Sequence, residues 1–182
     1  MKVSQTELSG VLVIEPQVYG DERGWFLEVW QETRYGEAGL PARFVQDNAS
    51  WSQHGVLRGL HFQHPRGQGK LVYVLAGEVF DVAVDVRADS PTFGRWTGLT
   101  LSAENRKQVY IPPGFAHGFC VTGDSALFAY KCTEAYAPEA ERTLLWDDAD
   151  IAVAWPLIDP IVSDKDRMGA LLKDTPRGHL PP

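Results

Sequence analysis

The clearest pattern in the chain is the alternation over residues 79–87, where Phe80, Val82, Val84 and Val86 are apolar and Asp81, Asp85 and Arg87 are polar. Side chains point to opposite faces at each step of a strand, so a period of two predicts a half-buried β-strand. Residues 70–75 read as a second strand, and the Ala76-Gly77 break between the two predicts a hairpin. Further apolar runs lie at 11–14, 25–30, 95–101, 107–111, 115–119 and 127–132. They are punctuated by turns such as Asp21-Glu22-Arg23-Gly24, Ser90-Pro91-Thr92-Phe93-Gly94 and Pro112-Pro113-Gly114. Residues 33–39 predict one helical turn, stopped by Gly39 and Pro41, and 43–48 an extended segment. In the tail, Ser163-Asp164-Lys165-Asp166 has the form of a helix start and 168–172 that of a short helix. Short strands at this spacing, with no repeat or linker, predict an all-β sandwich or jelly roll with short peripheral helices, one domain over 1–182.

One strand breaks the pattern. Gly55-Val56-Leu57-Arg58-Gly59-Leu60-His61 is apolar but carries two glycines, an arginine and a histidine, and Lys70 follows nine residues later. Three steps apart on a straight strand, Arg58 and His61 would face opposite sides, and Gly59 between them is where a bulge could turn both into one cavity. A permanent cation, a base titrating near neutrality and a second cation suit chemistry on an anionic substrate. A histidine in a strand is by itself more often a packed residue than a catalyst.

Composition narrows the classes. A chain of 182 residues with 44% hydrophobic and 11% aromatic residues can bury a sizeable core. The net charge of −7 disfavours nucleic-acid binding, which needs a positive field, but leaves room for a small anion held by local arginines and lysines. The absence of an apolar leader and of any membrane-length run leads to the expectation of a cytoplasmic protein without membrane contact. Cys120 and Cys132, isolated in apolar surroundings, are expected as buried free thiols.

Several separated blocks together resemble the dTDP-4-dehydrorhamnose 3,5-epimerases, a cupin-like branch of the jelly rolls. They are Asp21-Glu22-Arg23-Gly24, Gln46-Asp47-Asn48, the 55–61 strand, Gln68-Gly69-Lys70-Leu71-Val72, the alternating strand with Ser90-Pro91-Thr92-Phe93-Gly94, Ile111-Pro112-Pro113-Gly114-Phe115-Ala116-His117-Gly118-Phe119, Tyr130-Lys131 and Trp155-Pro156. The order matches over roughly residues 5 to 170, with a looser fit around 163–166 and Trp25 where the family more often has phenylalanine. The resemblance implies a 4-keto sugar on a dTDP carrier, whose C3 and C5 protons are acidified by the ketone between them. Epimerisation then needs a base, a group to stabilise the enolate oxygen and an acid on the opposite face, without metal or other cofactor.

By the same resemblance His61 is the base, Asp166 its carboxylate partner, Lys70 the enolate stabiliser and Tyr130 the acid. Arg23, Arg58, His117 and Lys165 correspond to positions around the diphosphate and sugar. Glu28, Gln46, Asp47, Asn48 and Glu141 correspond to further substrate contacts, and Phe26 or Tyr136 could stack on the thymine. Relatives are homodimers that exchange N-terminal strands, so a homodimer involving residues 25–30 is expected. Three rivals follow from the residues. A metal-dependent cupin enzyme would draw on His61, His64 and His117, but the His-x-His pair followed by glutamate is absent. A non-catalytic sugar-nucleotide binder would need no base, stabiliser and acid together. An epimerase inverting only C3 or only C5 stays open at this point.

Overall fold

The structure, a computed structural model, describes residues 1–41 and 43–182. Among the described residues twelve strands follow in chain order, the first five being β1 (Lys2–Gln5), β2 (Leu12–Glu15), β3 (Val18–Asp21), β4 (Gly24–Leu27) and β5 (Gln46–Gln53). After these come β6 (Val56–Gln63), β7 (Lys70–Asp85), β8 (Trp96–Ser102), β9 (Gln108–Ile111), β10 (Phe115–Cys132), β11 (Glu141–Thr143) and β12 (Ile161–Val162). Two short helices, α1 (Glu32–Glu37) and α2 (Asp164–Arg167), sit at the periphery. The fold is all-β, as the strand spacing predicts, and among the described residues no helix is long and apolar enough to cross a membrane.

Two long strands organise the sheet. β7 and β10 pair antiparallel along nearly their whole length. The first half of β7 also pairs with β9, its second half with β8, while β10 pairs with β6 through its start and with β5 through its end. Both strands thus pass from one half of the sandwich to the other. Their apolar side chains meet in one cluster, with Val72, Val79 and Ala83 from β7 and Phe115, Phe119, Val121 and Phe128 from β10.

The predicted hairpin at 76–77 is therefore corrected to a bend. Gly77 has φ +77° and lies so close to β10 that a Cβ would fall 1.7 Å from the Ser125 carbonyl oxygen. The backbone turns there without reversing, because each half of β7 finds its partners in other strands. The half-buried reading of 79–87 is corrected too: Asp81 and Asp85 are buried along with Val82, Val84 and Val86. Neighbours cover both faces, so the polar positions mark buried hydrogen bonds and not solvent.

The tail departs in one place. Ser163 caps α2, its Oγ accepting the Asp166 N–H at 3.2 Å, but the helix ends at Arg167 and the short helix predicted at 168–172 does not form. Gly169 instead lies flat against the Leu144 backbone, where a Cβ would come within 2.5 Å, and Ala170 bridges to Leu144. Cys120 and Cys132 are both buried and free, as expected.

Candidate active site

β6 supplies the centre. Its ladder with β10 pairs Phe119 with Arg58 and His117 with His61, so three steps on β6 match two on β10. The extra residue is a bulge around Gly59, whose φ is +132° and whose Cβ would strike Gly118 Cα at 2.5 Å. Only two facing glycines allow the backbones so close. The bulge restores a common face to Arg58 and His61, and both open into one cavity of about 560 Å³. Lys70, His117, Tyr130, Glu141, Lys165 and Asp166 line the same cavity.

His61 is three-quarters enclosed, and its Nε2 lies 2.5 Å from Asp166 Oδ1. Burial raises the Asp166 carboxyl, but the hydrogen bond and charge of His61, the Gly59 N–H and the Ser163 contact outweigh it and hold the group below the usual range. An ionised carboxylate only accepts, so Nε2–H donates and Nδ1 keeps the free lone pair. A base oriented in this way is what proton abstraction requires.

A second pair stands behind the first. His117 Nε2–H donates to Asp81 Oδ2 at 2.8 Å, with both groups buried. Burial pushes the His117 pKa down, helped by the charges of Lys70 and His61 and opposed by Asp81, so this imidazole stays neutral at pH 7. Burial likewise lowers the Lys70 ammonium and raises the Tyr130 phenol. Phe119 and Phe128 stack at 4.2 Å and wall the cavity that Lys70 also lines, an apolar surround in which a charge acts more strongly than in water.

An adjoining depression, sharing His61, Lys70, Tyr130 and Glu141, extends to Gln46, Asn48 and Tyr136. Glu141 ties the two together: its carboxylate accepts Lys165 Nζ at 2.9 Å and the Tyr136 hydroxyl at 3.1 Å. The whole sets an oriented imidazole, a buried lysine and a phenol around one cavity, with further cations that suit an anionic ligand.

Against this geometry the comparisons with known proteins are decisive. Residues 5–174 match the family model described as dTDP-4-dehydrorhamnose 3,5-epimerase. The chain belongs to that family. A curated dTDP-4-dehydrorhamnose 3,5-epimerase of Methanothermobacter thermautotrophicus is 54% identical over 94% of this chain and 95% of its own length. The crystal structure of dTDP-6-deoxy-D-glucose-3,5-epimerase from Legionella pneumophila, in complex with dTDP-4-keto-L-rhamnose, superposes with a TM-score of 0.96 at 53% identity, covering 99% of this chain and 97% of that one. A 3'-monoepimerase from Streptomyces bikiniensis, solved with dTDP-quinovose, matches at 36% identity and a TM-score of 0.91, over 97% of this chain and 91% of that one. The fold is thus the cupin-like one, and the protein is a nucleotide-sugar epimerase of the isomerase class.

The epimerase cavity gathers eleven of the residues singled out in the sequence: His61, Lys70, Tyr130, Asp166, Arg58, His117, Lys165 and Glu141 in its main part, and Gln46, Asn48 and Tyr136 in the extension. Four lie elsewhere in the single chain. Asp47 points the other way from Gln46 and Asn48 by strand alternation, and its carboxylate accepts Lys131 Nζ at 2.7 Å. Arg23 sits at the tip of the β3–β4 hairpin, paired with Asp21, and Phe26 and Glu28 line a separate depression beside Tyr19 and Arg34. Two buried groups at the site escaped the sequence reading. Asp81 looked like a solvent-face position of an alternating strand, and Gln63 carried no charge to attract notice; a buried partner for His117 was the signal available for the former.

Proposed function

We propose that this epimerase converts dTDP-4-dehydro-6-deoxy-D-glucose to dTDP-4-dehydro-L-rhamnose by inverting C3 and C5 through enolates, with the His61–Asp166 pair carrying the proton abstraction. The observation that supports this most directly is the 2.5 Å contact that holds His61 as a base facing a cavity shared with Lys70 and Tyr130. Nδ1 of His61 takes the proton beside the ketone, and Asp166 stabilises the imidazolium that results. Lys70 meets the negative charge growing on the ketone oxygen. Tyr130, kept protonated by burial, returns a proton on the face away from His61. Arg58 and Lys165 hold the diphosphate, and Tyr136 packs against the base. Each step is served by a side chain of the protein itself.

Incubation with dTDP-4-dehydro-6-deoxy-D-glucose in heavy water, followed by NMR, tests the reaction. Deuterium should enter at both C3 and C5; labelling at C3 alone would identify a monoepimerase, and labelling at neither a binder. His61→Ala should slow exchange at both carbons by about 10²–10⁴-fold. Tyr130→Phe should keep exchange while losing inversion, since protons then return only from the His61 side.

The working unit is a homodimer in the cytoplasm, where nucleotide-activated sugars are made. Strands β3 and β4 form a two-stranded sheet apart from the main one, and the hairpin leaves Tyr19, Trp25 and Phe26 exposed at 62%, 54% and 68%. Such a surface is costly to solvate, and it carries Arg23, Phe26 and Glu28 away from their own chain's cavity. A partner's cavity is the natural place for them. His61→Ala and Arg23→Ala chains, each inactive alone, should regain about a quarter of parent activity when refolded together, because half the dimers are mixed and each has one intact site. No regain, or a concentration-independent monomer in sedimentation, would reject this.

A further inference from the structure

The segment from Glu134 to Ala137, between β10 and β11, carries Tyr136 across the rim of the cavity, and side-chain amides hold its backbone. Gln63 Oε1 accepts the Ala137 N–H at 2.9 Å, while its Nε2 donates to Arg66 O at 2.9 Å and Ala135 O at 3.3 Å. Gln68 Nε2 donates to Glu134 O at 2.8 Å, and Gln46 Oε1 accepts the Tyr136 N–H at 2.8 Å. Gln63 is 5% exposed, so water offers its amide and the backbone groups it serves little alternative. It lies two residues beyond His61 on β6 and so shares its face. Yet both of its amide hydrogens and its carbonyl are spent on the protein, and a neutral amide has no proton to exchange near pH 7.

We propose that Gln63, assisted by Gln68, is a positioning residue for substrate binding: it fixes the 134–137 segment so that Tyr136 stands where the base of the nucleotide packs. The inference rests on the reading that Tyr136 meets the base. Tyr136 is half exposed, and its hydroxyl hangs on Glu141, which already accepts Lys165. Those side-chain contacts orient the ring only if the backbone beneath it is fixed. The clasp links that backbone to the strand bearing the catalytic histidine.

The test measures dTDP binding by calorimetry together with KM, kcat and deuterium exchange for Gln63→Met, Gln68→Met, Tyr136→Ala and the Gln63→Met/Tyr136→Ala pair, with melting curves to establish folding. Gln63→Met should weaken dTDP binding and raise KM by about tenfold, Gln68→Met by about threefold, with kcat and exchange at saturation within about twofold of the parent. The double variant should bind no worse than Tyr136→Ala alone, since both changes remove one effect. If Tyr136→Ala leaves dTDP affinity unchanged, the reading of Tyr136 fails. If Tyr136→Ala weakens binding but folded Gln63→Met does not, the clasp fails while that reading stands. A loss of kcat and exchange at unchanged dTDP affinity would show Gln63 acting through His61 and would overturn the proposal. Should Gln63→Met not fold, Gln68→Met decides by the same criteria.

Discussion

In the proposed reaction His61 acts as a base because of what touches it. Asp166 lies 105 positions away in sequence, and the carboxylate, held ionised, fixes which imidazole nitrogen keeps its lone pair. Asp166→Asn should keep substrate affinity near the parent value while lowering kcat by about 10²-fold or more, a split visible in steady-state kinetics. Lys70 and Tyr130 move in opposite directions under the same burial: the ammonium is lowered from 10.5 and the phenol raised from 10.0. Burial therefore makes the lysine lose its charge at lower pH than a solvated side chain would, and makes the phenol hold its proton longer. The alkaline limb of kcat/KM should set in below 10.5, and Lys70→Arg, whose cation does not titrate there, should move it to higher pH whatever activity it retains. An alkaline limb unaltered in that variant would remove Lys70 from the enolate step.

At the scale of elements, the site depends on where strands bend. The bulge at Gly59 brings Arg58 and His61 to one face, and the bend at Gly77 lets β7 serve both halves of the sandwich. Where β7 ends, Asp85 is fully buried and accepts from Arg87 Nη2, Ser90 Oγ and Thr92 Oγ1, each at 2.6 Å. Arg87 also stacks over Phe115, its guanidinium 4.5 Å from the ring centroid. The Ser90-Pro91-Thr92-Phe93-Gly94 turn is thus a clamp on a buried charge. Burial raises the Asp85 carboxyl, but Arg87, Ser90 and Thr92 outweigh it and leave the pKa below 3.8. A folded pKa below the unfolded one adds stability that is present above the unfolded value and fades as pH falls through the folded one. Asp85→Asn should cost about 3 kcal/mol at pH 7, a fall of roughly 10 °C in melting temperature. The gap to the parent should narrow below about pH 4; an equal gap at pH 7 and pH 3 would mean that charge is not what the clamp holds.

For the molecule as a whole, the cavity sits where the two halves of the sandwich share β10, with β5 and β6 on its flanks and α2 closing one side. Eleven candidate residues converge there from segments spread over 120 positions, from Gln46 to Asp166. The remaining cationic and aromatic candidates stand on a hairpin apart from the main sheet, and in the proposed dimer a complete site and a buried hairpin would be met together. Detaching the hairpin by Tyr19→Asp with Phe26→Asp should lower activity and shift sedimentation toward monomer in the same samples. Activity retained by monomers would separate the two.

The sequence by itself determined the class of fold and most of the chemistry. Period-two runs broken by glycine and proline specify short strands whatever lies around them, and His61, Lys70 and Tyr130 stand in blocks distinctive enough to single out residues that share one cavity. Local rules also placed the Ser163 cap, since a cap needs only its own helix. They failed where the environment is supplied from afar. A strand with apolar and charged faces reads as half-buried until a second layer covers it, which is why Asp81 and Asp85 passed for surface residues. A Gly that bends a strand and one that reverses it look alike until the partners of each half are known, and so β7 resembled a hairpin. The resemblance already paired Asp166 with His61, but only the tertiary structure supplied the contact itself and decided that Gln63 holds the loop beside it, because hydrogen bonds between distant residues leave no period in the chain.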